Sequence, residues 1–199
     1  MRKGILIVDF GSQYTQLISR RIRELHVYCE ILPFNKINSK LLYDIDPSGV
    51  VLSGGPNSVL DKKAPKINKS ITESNIPILA ICYGLQALSL QKGGKIKKSF
   101  SREYGFSKIK INNNSKIIPR EWMGRAINVW MSHGDSLTHI PKEFVSFAKS
   151  GPHNHVGIAN ENYRIFGLQF HPEVFHTRDG AAIIKKFLTN VCQCKPTWN

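Results

Sequence analysis

Residues 76–91, with the sequence IPILAICYGLQALSLQ, decide how the first half of the chain is interpreted. The part from Ile76 to Ile81 is a short apolar run of the length expected for a buried strand. The part from Tyr83 to Gln91 is predicted to continue as a helix, so strand and helix meet at Cys82 without an intervening loop. A strand that passes directly into a helix is typical of a βα unit in a parallel sheet.

The same alternation of strand and helix extends back to the N-terminus. Three further strands are predicted, at Gly4–Phe10, Val27–Leu32 and Gly49–Leu52. Apolar residues at helical spacing between Tyr14 and Leu25 predict a helix with Ser12 as its N-cap, and a second helix is predicted at Pro65–Ser74. The sequence therefore predicts an α/β fold, an open and mainly parallel sheet with helices on both faces.

The second half of the chain is richer in strands and less regular. Five strands are predicted, at Phe106–Ile111, Ala126–Met131, Phe144–Lys149, Val156–Ala159 and Tyr163–Phe170. A last helix is predicted at Asp179–Val191, because its apolar residues recur at helical spacing. Residues 1–191 are therefore expected to form one domain with a mixed sheet, and residues 192–199 are expected to begin a connector.

Composition limits the class of protein. The 199 residues are 41% hydrophobic and 21% charged, which is ordinary for one mid-sized globular domain. No apolar run approaches the roughly 18 residues of a membrane span, and the aliphatic run before Asp9 is too short for a secretory signal. We therefore expect no membrane partner and a cytoplasmic location, where the four cysteines would stay reduced.

The chain is strongly basic. Lys and Arg number 28 against 14 Asp and Glu, which gives a net charge of +14. Such a balance raises the question of a nucleic-acid partner, but the charges are scattered in pairs such as Lys62-Lys63 and Lys185-Lys186. A solvated basic surface is the favoured interpretation and docking to an acidic surface is the alternative. A nucleic-acid-binding module is kept as a non-enzymatic alternative, although no nucleic-acid partner is expected.

Cys82 is the candidate nucleophile. A tight turn from strand to helix, with the small residues Ala80 and Gly84 on either side, is the layout of a nucleophile elbow. The positive end of the following helix would favour the thiolate. The alternative is a buried structural cysteine, which is the interpretation favoured for Cys29, Cys192 and Cys194. The cysteine spacings match no zinc pattern, so no metal is expected.

His171 and Glu173 are the candidate partners of this thiol. His171 ends an aliphatic strand and precedes a proline, so the segment is expected to stay extended. Residues two apart in an extended segment face the same way, so Glu173 can orient the imidazole. Taken alone, the His-Pro-Glu sequence is also compatible with an ordinary capped loop.

Two polar turns are predicted at the ends of strands. Ser53-Gly54-Gly55-Pro56 follows the strand Gly49–Leu52, and its glycines would let a backbone amide approach an oxyanion. A phosphate loop is excluded because no Gly-Lys-Ser/Thr sequence follows. Ser132-His133-Gly134-Asp135 is predicted as a turn after the strand Ala126–Met131, where its polar groups suit a zwitterionic amino acid. An ordinary turn is the alternative.

Together, the SGGP turn, AICYGLQ, the SHGD turn and HPE resemble the class I (Cys-His-Glu) glutamine amidotransferases over nearly the whole chain. Within that family the chain is most similar to the glutaminase domains of GMP synthases. This further resemblance lies in DFGSQY at Asp9–Tyr14, SREYG at Ser101–Gly105, VWMSHGD at Val129–Asp135 and the Cys-x-Cys-x-x-x-Trp run at Cys192–Trp198. That last run resembles the junction to a synthetase domain.

The resemblance implies a role for each matching residue and a flavodoxin-like fold. Cys82 matches the nucleophile, His171 the general base and acid, and Glu173 its orienter. The backbone amides of Gly55 and Tyr83 match the oxyanion hole. The positions that match those holding glutamine are Gln86, Ser132, His133, Gly134 and Asp135.

The function implied is hydrolysis of L-glutamine to glutamate and ammonia through a cysteinyl thioester. The ammonia would serve the amination of XMP to GMP in a synthetase (ATP pyrophosphatase) partner, in the same longer chain or as a separate subunit. No cofactor is expected in this domain, and ATP and magnesium are expected in the synthetase. The alternative within the same chemistry is the glutaminase component of another synthase, such as anthranilate synthase.

Overall fold

The computed structural model describes residues 3–198, apart from the side chains of residues 99–103. The side chains of Ser101–Glu103, part of the SREYG motif, therefore lie outside the described residues. The helices are α1 (Thr15–Glu24), α2 (Ser39–Ile45), α3 (Lys69–Thr72), α4 (Tyr83–Gln91) and α5 (Gly180–Lys186). The strands are β1 (Ile5–Asp9), β2 (Cys29–Pro33), β3 (Gly49–Leu52), β4 (Ile78–Ile81), β5 (Lys95–Ile111), β6 (Ala126–His139), β7 (Val145–Ser150), β8 (His153–Asn160) and β9 (Ile165–Leu168).

The described strands form one sheet in the order β2-β1-β3-β4-β9-β8-β7-β5-β6. The first five are parallel to one another, and each later pairing, from β9–β8 to β5–β6, is antiparallel. The predicted α/β architecture with a mixed sheet is therefore confirmed. We call β2, β1, β3, β4 and β9 the parallel half, and β8, β7, β5 and β6 the antiparallel half.

Helices cover both faces of the parallel half, because successive side chains of its strands point to opposite faces. In β1, Ile5 and Ile7 pack into one apolar core, which also contains residues of α1 and α5. Leu6 and Val8 pack into a second core with residues of α2, α3 and α4. The continuous apolar runs of the parallel strands follow from burial on both sides. None of the helices among residues 3–198 is long and apolar enough to cross a bilayer.

Three predicted helical features differ from the structure. The N-cap of α1 is Tyr14 and not Ser12, although the Ser12 hydroxyl accepts a hydrogen bond from the Tyr14 amide. The helix predicted at Pro65–Ser74 is only the four residues of α3, which Asn68 caps. The last helix ends at Lys186, and residues 187–191 continue as a wider π-helical turn. In addition, α2 was not predicted from the sequence.

The SHGD segment is also placed differently from the prediction. Residues 132–135 do not form a turn but lie inside β6, where Ser132 pairs with Tyr104 and Asp135 pairs with Lys98 of β5. Burial alternates through the segment, with Met131, His133 and Asp135 turned inward. This alternation of burial is typical of a strand, and the segment pairs with the long β5. β6 therefore continues through Gly134, where the sequence predicted a turn.

Candidate active site

The candidate residues of the parallel half lie where its strands end. The segments after β1, β3, β4 and β9 leave the sheet at the same edge, because these strands are parallel and adjacent. In the sheet, β1 lies between β2 and β3. The connection after β1 therefore leads to one side of it, and the connection after β2 returns to the other side. Ligand sites in open α/β sheets lie at the carboxyl ends of strands beside such a reversal of order.

Cys82 occupies the corner between β4 and α4. Its backbone lies at φ 51° and ψ −107°, a conformation that L-residues rarely adopt and that turns the chain abruptly into the helix. Gly84 allows the close approach behind this corner, since a Cβ there would lie 2.7 Å from the carbonyl oxygen of Leu52. The cysteine is 4% exposed, and the accessible part faces a cavity.

The structure brings the three candidate catalytic side chains together. The His171 imidazole lies beside the Cys82 thiol on one side, close enough for that thiol to affect its pKa, and its Nδ1 donates to Oε1 of Glu173 at 2.7 Å on the other. Because Nδ1 faces the carboxylate, Nε2 is the nitrogen that faces the sulfur. Glu173 is completely buried. The carboxylate therefore holds the imidazole by a hydrogen bond, and the imidazole lies beside the thiol.

The surroundings of His171 favour its protonated form. Burial by itself would lower the pKa of His171, but the negative charges of the neighbouring Glu173 and Cys82, together with the hydrogen bond to Glu173, raise that pKa well above the usual value. An imidazolium beside the sulfur can hold a thiolate and can later give a proton to a leaving group.

Contacts from other elements hold the segment that carries His171. The Thr177 hydroxyl donates to the His171 carbonyl at 2.6 Å and accepts from the Trp130 amide of β6 at 3.0 Å. The ring of Tyr14 packs edge-on against the imidazole, with centroids 5.0 Å apart. Arg21 of α1 donates to the Glu173 carbonyl. The antiparallel half of the sheet, Tyr14 and α1 therefore fix this segment.

The predicted oxyanion donors lie beside the cysteine. Tyr83 begins α4, and amides in the first turn of a helix have no partner within the helix. Gly55 lines the same cavity as Cys82 and Tyr83. Gly54 packs against both residues, since a Cβ there would be 3.1 Å from Cε1 of His171 and 3.7 Å from Cβ of Cys82. The SGGP turn thus brings backbone close to the thiol.

A cavity of about 600 Å³ opens over Cys82. The antiparallel half forms one wall through Ser132, His133, Gly134 and Asp135, and the Ser132 carbonyl accepts a hydrogen bond from the Cys82 thiol at 3.4 Å. The Asp135 carboxylate accepts from the Ser58 hydroxyl of the opposite wall. The predicted binding residues therefore line the same cavity as the triad, and a carboxylate lies within it.

Gln86 and Tyr83 line the cavity with their side chains already engaged. Nε2 of Gln86 donates to the Asp135 carbonyl and to Oε1 of Gln169, at 2.9 and 3.1 Å. The Tyr83 hydroxyl donates to the Pro65 carbonyl. Burial and the Asp61 carboxylate raise the pKa of Tyr83 to about 12, so this phenol stays neutral. Gln86 thus braces the SHGD strand against α4.

Gln169 is a site residue that the sequence interpretation missed. It is buried, and its Nε2 lies 3.6 Å from the Cys82 sulfur. The predicted extended segment is not observed, because β9 ends at Leu168 and the chain bends at 169–170 and turns at 172–173. Alternation along a strand therefore gave no signal for Gln169. Tyr14 and Ser58 were also missed, since only the tertiary fold brings them to the cavity.

The arrangement can perform acyl-transfer chemistry on a small polar substrate. It combines a thiol, an imidazole held by a carboxylate, and the backbone of Gly55 and Tyr83 in the same cavity. Among the residues whose side chains the structure describes, no group of three or more His, Cys, Asp or Glu is arranged to hold a metal ion.

Comparison with known families gives a match over almost the whole chain. Residues 6–191 match the family described as glutamine amidotransferase class-I. The chain is 46% identical over 195 residues to the glutamine-hydrolysing GMP synthase of Brachyspira hyodysenteriae, covering 98% of this chain and 37% of that protein. It is 41% identical over 206 residues to that of Methylobacillus flagellatus, covering 100% and 39%. The chain thus spans less than two fifths of the length of these relatives.

Solved structures show the same architecture. A protein of Thermoplasma acidophilum that is assigned to GMP synthase as one of its subunits superposes with a TM-score of 0.82 at 31% identity, covering 97% of this chain and 95% of that one. A glutamine amidotransferase of Thermotoga maritima gives a TM-score of 0.70 at 21% identity, covering 96% and 82%. At that lower identity the likeness concerns the fold alone.

Proposed function

The chain belongs to the class-I glutamine amidotransferase family, and from this premise we propose that it is the glutaminase component of a GMP synthase. It hydrolyses L-glutamine, and the ammonia aminates XMP to GMP. The observation that carries the proposal is the placement of the His171 imidazole at the edge of the cavity, beside the Cys82 thiol and hydrogen-bonded to the buried Glu173 carboxylate. The relatives with 46% and 41% identity support the choice of synthase.

The first half of the reaction releases ammonia. The Cys82 thiolate adds to the carboxamide carbon of glutamine, and the amides of Gly55 and Tyr83 hold the resulting oxyanion. When the tetrahedral species collapses, the carbon–nitrogen bond breaks and the nitrogen takes a proton from the His171 imidazolium. A glutamyl thioester and ammonia remain. Each oxyanion donor is expected to lower the barrier by about 3 kcal/mol.

The second half regenerates the thiol. His171, now neutral, accepts a proton from water as its oxygen attacks the thioester carbon. Collapse of the second tetrahedral species breaks the carbon–sulfur bond and releases glutamate. Glu173 keeps the imidazole in the orientation that serves both steps and stabilises its charged form.

The walls of the cavity select the substrate. Asp135 supplies a negative charge for the α-amino group of an amino acid, while Ser132, His133 and Gly134 offer polar groups along the same wall. Gln86 keeps that wall in place through its bond to the Asp135 carbonyl. A neutral side-chain amide is then directed toward Cys82.

The synthetase reaction takes place outside residues 1–191. We propose that a synthetase (ATP pyrophosphatase) partner, which uses ATP and magnesium, receives the ammonia in the cytoplasm. No step within this domain involves either cofactor. Residues 192–199 begin the connector to that partner. Hydrolysis by residues 1–199 alone is expected to be slow and to rise when the synthetase is present with its substrates.

The proposal is tested in the complete enzyme with Cys82→Ala. Glutamine-dependent GMP formation should fall by about 10⁴-fold or more, because the covalent route is lost. Formation of GMP from added ammonium should stay close to the native rate. Cys29→Ala, which removes another buried thiol, is the control for damage to the core and should retain both activities.

Two outcomes would overturn the proposal. Equal loss of ammonium-dependent and glutamine-dependent activity in Cys82→Ala would contradict the role of the thiol. Glutamine hydrolysis that responds to an anthranilate synthase partner and not to XMP and ATP would favour the other synthase.

A further inference from the structure

A lysine at the cavity over Cys82 has no role in the proposed function. Lys98 of β5 lines this cavity together with residues 132–135 of β6. Among the side chains that the structure describes, it is the only lysine or arginine in the lining. A lysine ammonium is a compact cation with three hydrogen-bond donors on a flexible stem. The cavity is therefore supplied with a positive group that can reach a ligand.

The pairing of β5 with β6 places Lys98 beside Asp135. The two residues are directly opposite each other in the antiparallel register. Side chains at such positions leave the sheet on the same face, with their Cβ atoms about 5 Å apart. Because both residues line the cavity, a positive and a negative side chain lie next to each other along the same wall.

Lys98 and Asp135 are not paired with each other. The Asp135 carboxylate accepts a hydrogen bond from the Ser58 hydroxyl. Lys98 forms no ion pair with any side chain that the structure describes. Both charges therefore remain available to a ligand, and a zwitterion is the kind of ligand that offers each of them an opposite charge.

The α-carboxylate of glutamine requires a cation in this cavity. Asp61 and Asp135 line it, so a third carboxylate would be repelled unless a positive group lay beside it. Asp135 is the proposed partner of the α-amino group, whereas no charged partner has been assigned to the α-carboxylate. Because both groups are attached to one carbon atom, their partners must be neighbours, as Lys98 and Asp135 are.

We propose that Lys98 is a specificity-determining residue that binds the α-carboxylate of glutamine, an inference that rests on the proposed glutaminase function. Asp135 holds the α-amino group and Lys98 the α-carboxylate, so the side-chain amide extends toward Cys82. Lys98 takes no part in making or breaking bonds. It acts on the affinity for the substrate and selects amides that carry an α-carboxylate.

The first test measures glutamine hydrolysis by the complete enzyme in the presence of XMP, ATP and magnesium. Lys98→Gln should raise the KM for L-glutamine by roughly tenfold, because a charge-assisted contact is lost, and kcat should stay close to native. Lys98→Arg keeps the positive charge and should restore most of the affinity. Lys97→Gln is the matched control, since Lys97 is also exposed but lies opposite Ser136 and does not line the cavity.

A second substrate identifies the group that Lys98 binds. L-Glutamic acid diamide keeps the α-amino group and the side-chain amide of glutamine but has a neutral amide in place of the α-carboxylate. The native enzyme should hydrolyse the side-chain amide of this compound with a kcat/KM roughly tenfold below that for glutamine. In Lys98→Gln the two substrates should differ by less than about threefold, because both changes remove the same contact and are not additive.

The possible failures are distinguishable. An unchanged KM in Lys98→Gln, or an equal rise in Lys97→Gln, would overturn the role of Lys98 and leave the glutaminase function standing. An equal loss of kcat/KM for both substrates in Lys98→Gln would also overturn it, since the lysine would then not recognise the carboxylate. A native enzyme that hydrolyses neither substrate would refute the proposed function itself.

Discussion

The two halves of the sheet contribute to the cavity in different ways. The parallel half delivers the reactive groups from the ends of its strands, with Cys82 directly after β4 and His171 just beyond β9. The antiparallel half contributes from the middle of a strand, since residues 132–135 lie inside β6. The parallel half therefore positions the candidate reacting groups, and the antiparallel half forms one wall of the cavity.

This difference indicates how each half should respond to substitution. Groups after a parallel strand are held by a sharp turn and by the following helix, so small changes there alter the geometry of reaction. Groups within β6 are held by its pairing with β5 along one side of the strand, so they form a stable surface for binding. Substitutions in the parallel half should therefore lower kcat, and those in the antiparallel half should raise KM.

The largest effect is expected from Glu173→Gln in the parallel half. Losing the carboxylate removes the partner of His171 Nδ1 and favours the wrong tautomer, so kcat should fall by about 10²- to 10⁴-fold. The pKa of His171, followed by NMR, should also fall. Glutaminase kinetics should show little change in KM. A raised KM with native kcat would contradict the distinction between the two halves.

A smaller effect is expected from Asp135→Asn in the antiparallel half. The substitution keeps the shape of the side chain but removes the charge proposed to hold the α-amino group. A charge-assisted hydrogen bond contributes about 1.5–3 kcal/mol, so KM for glutamine should rise by roughly 10- to 100-fold. Ser58→Ala removes the donor to this carboxylate without removing its charge and serves as the control with a weaker effect. Unchanged KM in Asp135→Asn would refute the binding role.

Gly84→Ala tests the corner that holds the cysteine. The added Cβ would meet the backbone and Cβ of Leu52 at 2.7–3.0 Å, so α4 or β3 must shift. Overpacking of this kind costs about 1–3 kcal/mol of unfolding free energy, measurable by urea denaturation, and kcat should fall with it. Native stability together with native kcat would show that the turn between β4 and α4 accommodates the added Cβ without disturbing Cys82.

The smallest effects are expected from two histidines, one in each half, whose contributions to stability have opposite pH dependence. The raised pKa of His171 means that its stabilising contribution is complete below the unfolded value of about 6.5 and is lost as pH rises through the folded pKa. Burial, with a smaller effect of His139, lowers the pKa of His155 in β8. Its contribution is therefore retained above about pH 6.5 and declines as pH falls below that value.

Urea unfolding between pH 5 and 9 of the native chain, His171→Gln and His155→Gln checks these signs. The difference in unfolding free energy between the native chain and His171→Gln should shrink toward alkaline pH. His155→Gln should become more stable relative to the native chain toward acid pH. Parallel curves for the three proteins would show that neither histidine is perturbed.

Much of the parallel half could be predicted from the sequence. The bounds of β3 and α4 agree with the predicted Gly49–Leu52 and Tyr83–Gln91, because a strand buried on both faces is a continuous apolar run. The antiparallel half was predicted less well. Most of β5 was missed and β6 was ended too early, since their polar residues and a glycine obscure the alternation that strand pairing satisfies.

The sequence by itself determined the kind of fold and the candidate triad of Cys82, His171 and Glu173, because each lies beside an apolar run and local geometry limits where its side chain can point. Only the tertiary structure decided which distant groups complete the site. Gln169, Tyr14 and Ser58 reach the cavity through strand order and helix packing, which depend on contacts between residues far apart in the chain. Local patterns carry no record of such contacts.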